Sequence, residues 1–177
     1  MSPLLRLRLD RAAIVQTLVA LGAVAAIAAA VITLATGRAS LGPGVELLVL
    51  VALGALARRY GIGLPGHGFA SYLLGVAAYA VLDRGWQFAV VVAPLAMVVG
   101  DVVLRRLPIR AALGGAAHMA TGTAVAGVLY AALGGATGGS ALTAANLGRL
   151  VPFLIALPLL VNGTFYLELG LRRTVAR

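Results

Sequence analysis

RAALGGAAHMATGTAVAGVLYAALGG, residues 110–135, decides how the whole chain is read. It is long enough to cross a bilayer as one helix, for which about 20 apolar residues suffice. Every fourth residue gives Gly114, His118, Gly122, Ala126, Tyr130 and Gly134, which on a helix form one slowly drifting face. Small side chains there let a neighbouring backbone approach closely, so Gly114, Gly122 and Ala126 are the expected packing positions. A leucine at Gly122 should then be disruptive, whereas one at Gly135, in the loop beyond, should matter little. His118 sits in this face with glycine one turn to either side. An ionisable residue at membrane depth is a functional candidate by default.

The rest of the chain has the same character. Of 177 residues, 62% are hydrophobic and 11% charged, with a mean hydropathy of +1.04. Soluble domains run nearer half apolar and a quarter charged, so the class is an all-α, polytopic integral membrane protein. The net charge of +9 is not a nucleic-acid signal. Its 14 basic residues are all arginines gathered in short connections between apolar runs, which is how topology determinants are placed. Without cysteine, the chain has no disulfide, thiolate metal site or cysteine nucleophile.

Outward from residues 110–135, five further apolar runs mark a single six-helix domain over residues 12–171. A basic segment (1–11) precedes it and a basic tail (172–177) follows. The first run, Ala12–Thr36, is too long for the roughly 7–15-residue core of a signal peptide and reads as a helix that stays. Gly and Pro in residues 36–44 break it. The second (Val45–Ala57) and third (Phe69–Leu82) are short, and YGIGLPGHG (60–68) between them is too rich in Gly and Pro for regular helix. Either run could be a broken, partly spanning element, which is tolerated where protein or water satisfies its backbone. The fourth, Trp86–Leu104, opens with an interfacial tryptophan and should kink at Pro94. GGATGGSALTAANLGR (134–149) reads as a flexible loop before the sixth run, Leu150–Leu171. With both termini cytoplasmic, the inner segments hold eleven arginines and the outer ones three, Arg38, Arg84 and Arg149. That asymmetry supports six spans in a bacterial inner membrane.

Enzyme motifs are scarce. Residues 61–66 match GxGxxG in form, but no strand precedes them and Pro65 interrupts them. Asn162-Gly163-Thr164 matches a glycosylation sequon inside a span. Asp101, four residues before Arg105, reads as a helical ion pair at the inner interface. His67 is an interfacial histidine facing water, or else a ligand-reading residue in a re-entrant loop. For His118, one reading is a neutral histidine hydrogen-bonded across a helix pair, with Thr121 or Thr123 nearby. Others are a contact to an organic ligand, a proton response, or ligation of a tetrapyrrole metal in room left by the glycines. Asn162, four residues past Pro158, either satisfies carbonyls freed by that proline or points into a small cavity shared with His118 and Tyr166. No metal site and no cofactor are expected, the tetrapyrrole being the alternative.

LARRYGIGLPGHG (56–68), GDVVLRRLP (100–108), AGVLYAALGG (126–135) and LVPFLIALPLLVNGTF (150–165) resemble the membrane-associated sensor (MASE-type) regions that precede GGDEF or HD-GYP output domains in bacteria. In those regions the fifth helix opens with a Phe-Asn pair and a polar residue soon after. Here Gly114-Gly115 stand at the pair and His118 at the polar place. The resemblance implies an input module with cytoplasmic ends. Since the sequence stops at Arg177 without an output domain, the expectation is an isolated sensor module or a relative working within a larger complex. Two other classes stay open: an accessory subunit of an inner-membrane assembly, and a solute-binding component of a transporter. The expected partners are the lipid bilayer and other membrane chains or a second copy, not nucleic acid.

Overall fold

The computed structural model describes residues 3–64, 68–70 and 72–173, so His67 lies outside the described residues. Six helices follow in order: α1 (Pro3–Ala35), α2 (Gly44–Arg59), α3 (Leu73–Arg84), α4 (Trp86–Val99), α5 (Ile109–Ala132) and α6 (Leu147–Arg173). Between α2 and α3, β1 (Ile62–Leu64) pairs antiparallel with β2 (Gly68–Ala70), Gly63 opposite Phe69. The all-α class therefore holds, with one small hairpin inserted. Helix α1 takes in most of the basic segment that the sequence reading set apart.

The helix boundaries follow from local chemistry. Pro108 precedes α5, where its missing N–H costs nothing. At the other end Gly134 takes φ +75°, and Gly135 N–H donates to the Tyr130 carbonyl at 2.9 Å, closing the last turn. Gly37, at φ +69°, ends α1 the same way. Helix α4 continues through Pro94, and the change in winding comes later, as a wider π turn over Gly100–Leu104. That turn ends at Arg106, in a left-handed conformation at φ +55°.

Four helical stretches are long and apolar enough to cross a membrane: Ala13–Ala35, Trp86–Leu104, Ile109–Ala132 and Ala144–Glu168. The chain is thus an all-α membrane protein. Helices α2 and α3, with 16 and 12 residues, reach about 24 and 18 Å at 1.5 Å per residue, short of a roughly 30 Å hydrocarbon core.

Apolar burial cannot drive helices together in lipid, so close van der Waals contact must. Helix α4 is central, packing against α1, α2, α3 and α5, with Phe88, Ala89, Val92, Ala93 and Ala96 fully enclosed. Glycines set how near its neighbours come. A Cβ on Gly100 would lie 2.8 Å from Arg58 Cβ and 3.0 Å from the Ala55 carbonyl, so α2 touches α4 through backbone. On α5, Gly127 seats Trp86, Gly115 seats the Met97 methyl, and Gly122 meets the Val161 backbone on α6. Ala126 is buried, as expected. Two expectations are corrected. Gly114 has nothing within 4 Å of a would-be Cβ and faces open space, not a helix. Gly135 carries the Tyr130 ring 2.5 Å from such a Cβ, so it is packed, not free.

The loop between α5 and α6 is also more ordered than its composition suggests. Asn146 is 1% exposed; its amide donates to Tyr130 Oη and to the Ala141 carbonyl at 2.7 Å, and its Oδ1 accepts from Ala136 N–H at 3.1 Å. One side chain replaces the missing secondary structure.

Candidate functional site

Helices α1 and α5 run parallel, with the Thr121 hydroxyl donating to the Val19 carbonyl at 3.0 Å. Helix α6 runs against them, and the Gly122–Val161 contact sets its height. This register brings the beginnings of α1 and α5 and the end of α6 to one end of the bundle.

Near that end, His118 is 5% exposed and bridges α5 to α6. Nδ1 lies 2.9 Å from Thr164 Oγ1, and Nε2 lies 2.9 Å from Glu168 Oε2. Phe165 stands edge-on to the imidazole, with ring centroids 5.8 Å apart. Thr164 Oγ1 is also 3.1 Å from the Leu160 carbonyl, one turn back. The Thr164 hydroxyl and the Glu168 carboxyl thus take one ring nitrogen each. Both ring nitrogens are committed, so ligating a macrocycle metal would break one of these bonds.

Beside the bridge, a cavity of about 550 Å³ lies between α1, α5 and α6. Gln16, Val19, Arg110, Gly114, Phe165 and Glu168 are among its lining, together with His118 itself. Its size falls in the range of small-molecule sites, and its wall is mostly apolar with a few convergent polar groups, as such sites are built.

The other candidates separate from this site. Asn162 and Tyr166 are exposed on α6, Tyr166 at 46%, so neither shares a cavity with His118. Thr121 bonds α1 and the Thr123 hydroxyl lies 3.6 Å from the Met119 sulfur; neither meets His118. Asp101 pairs with Arg105 at 2.7 Å, as expected. It also takes a two-pronged bond from Arg58 at 2.9 and 3.1 Å, while itself only 2% exposed. At the opposite end Arg84 grips Glu46 and lies 3.3 Å from Asp83 Oδ2. Burial first, then the neighbouring Glu46 carboxyl, raise the Asp83 carboxyl above its ordinary range. These two clusters fasten helices and lie outside the lining of the cavity beside His118. Among the described residues no group of three or more His, Asp or Glu is placed to hold a metal ion.

Sequence reasoning missed Thr164 and Glu168, yet a signal existed. Glu168 is the one acidic residue after Asp101, and Thr164 stands one helical turn before it. Comparison of the chain with protein-family models, with curated proteins and with solved structures finds no match.

Proposed function

We propose that the chain is a non-enzymatic, ligand-binding input module of a bacterial cytoplasmic membrane, and that the cavity beside His118 is its site. One observation carries this: a buried His–Glu bridge forms the wall of a largely apolar cavity between three helices. A polar pair costs free energy in such surroundings unless its bonds are kept. A ligand that perturbs those bonds would shift α5 against α6, which is how an input module reports. The resemblance to MASE-type regions favours the same reading.

The orientation we propose places both termini in the cytoplasm with six crossings. Helix α2 supports it despite its length. Its first turn is tied through Glu46 to Arg84, the last residue of α3 just before α4, and its last turn through Arg58 to Asp101, in the π turn that follows α4. Helix α2 is thus held at both of its ends beside a helix long enough to cross.

The test is purification from native membranes followed by extraction and mass spectrometry of retained small molecules. A colourless preparation holding a molecule that His118→Ala releases is the expected result. His118→Gln should keep most of it, because the amide can still donate towards Glu168. A coloured preparation bleached by His118→Gln would identify a pigment site instead, and co-purifying chains with no retained molecule would favour the accessory-subunit reading.

A further inference from the structure

We infer that the cavity takes an anionic, phosphate-bearing lipid, its headgroup at the Arg110 mouth and an acyl chain along α5; this rests on the ligand-site reading above. Arg110 lines the cavity and is exposed, and none of the described acidic residues forms an ion pair with it. The helix register adds to it. With Val19 level with Thr121, the backbone of Arg8 on α1 is level with Arg110. With Val161 level with Gly122, the backbones of Arg172 and Arg173 on α6 reach the same height. Three helices thus carry arginine positions towards this one end of the bundle. Of the acids nearby, Glu168 is held by its bond to His118, and in the sequence Asp10 lies between Arg8 and Arg11.

From that mouth the cavity runs inward about 12 Å along α5, eight residues from Arg110 to His118 at 1.5 Å each. Its walls over this stretch are small or apolar: Ala111, Leu113, Gly114, Ala117, Val19 and Ala20. Charge at the rim and an apolar trough beneath match the order of a lipid in its leaflet, with phosphate outside and chain inside. Basic pockets between membrane helices recognise acidic headgroups in this way. A free phosphate would use the rim alone and leave the trough without purpose.

The experiment uses the full chain, stripped of lipid and placed in phosphatidylcholine nanodiscs. Three arms follow: phosphatidylcholine alone, phosphatidylglycerol added, and inorganic phosphate added. Native mass spectrometry reads retained lipid, and thermal unfolding reads stabilisation. Phosphatidylglycerol should be retained and stabilising. Arg110→Gln should weaken its retention about fivefold, the worth of one basic residue at an anionic surface. Gly114→Leu should block the trough and abolish retention without lowering the unfolding temperature in phosphatidylcholine, since its Cβ enters open space and loss of a helix-interior glycine favours the helix. If Gly114→Leu unfolds early, Arg110→Gln alone decides. Equal retention of both lipids, an unaffected Arg110→Gln variant, or inorganic phosphate stabilising as well as phosphatidylglycerol would each overturn the inference. A neutral molecule retained from native membranes and expelled by Gly114→Leu would refute the anionic lipid while sparing the ligand site. If Gly114→Leu expels nothing from either preparation, both readings fall.

Discussion

Replacing Gly122 with alanine, beside the same change at Gly114, isolates the steric term that holds α5 to α6. Both glycines lie inside α5, so each substitution brings the same helix-propensity gain, about 1 kcal/mol. Their surroundings differ. A Cβ at Gly122 would sit 2.7 Å from Val161 Cα and 2.8 Å from its nitrogen, about 0.7 Å inside the 3.4 Å at which ordinary contact begins. Those are backbone atoms and cannot swing away, so the helices must part. Overpacking of this kind costs about 1–3 kcal/mol. A Cβ at Gly114 meets nothing within 4 Å, and that variant should be neutral or slightly stabilised. With propensity cancelling, the two variants should differ by about 1–3 kcal/mol. For a chain of this size that is roughly 2–12 °C in Tm, at about 2–4 °C per kcal/mol. Thermal unfolding in one detergent, followed by the fluorescence of the single Trp86, measures it. The same 0.7 Å would stretch the two 2.9 Å bonds of His118 to about 3.6 Å, beyond hydrogen-bond range, so ligand retention should fall with Gly122→Ala. Equal midpoints for the two variants, or a lower one for Gly114→Ala, would refute the packing argument.

Asp101→Asn should destabilise by about 2–3 kcal/mol. That is less than the about 3–5 kcal/mol for breaking a fully buried pair, because Arg58 and Arg105 are 16% and 24% exposed and can rehydrate. Arg105→Gln, which removes the i,i+4 contact and leaves Arg58 on Asp101, should cost less, about 0.3–0.5 kcal/mol for a pair at that spacing, in the same unfolding assay; the reverse order would show that α2 is not held through Asp101. Reporter fusions after Leu41, Arg84 and Ala144 should read outside, and fusions after Gly61, Pro108 and Arg177 inside. A Gly61 fusion reading outside would mean that α2 and α3 enter without crossing, leaving four spans.

The architecture was legible wherever composition alone decides it. The apolar runs, their Gly and Pro breaks and the arginine-rich turns marked six helices, because membrane helices are selected by length and hydropathy. Distances between helices were half legible. Gly122 and Ala126 pack as their spacing predicts, but spacing does not say which neighbour each residue meets: it predicts a helix against Gly114, which faces the cavity instead. Spacing also leaves Gly135 free, because its Tyr130 contact depends on how the chain turns after α5. Asn146 was unremarkable in a small-residue loop, since its role comes from three partners gathered by folding. At the site, His118 stood out as an ionisable residue at depth. Its partners lie 46 and 50 residues away, and only the α5–α6 pairing brings them together. Asn162 and Tyr166 looked equally placed on paper, and rotation about the α6 axis, which apolar patterning leaves unspecified in lipid, turns them outward.

The two clamps on α2 also bear on how the chain is made. Glu46 waits for Arg84, 38 residues later, and Arg58 waits for Asp101, 43 residues later. At about 5–20 residues per second of synthesis, those intervals last about 2–9 s. Throughout that time the ends of α2 lack the Arg84 and Asp101 contacts that clamp them. Its settling must therefore be posttransitional with respect to its own emergence, completed when α4 arrives with a glycine to lie against and a carboxylate to bind. A truncation ending before Gly100 should leave α2 accessible to membrane-impermeant label, whereas one extended past Arg105 should protect it.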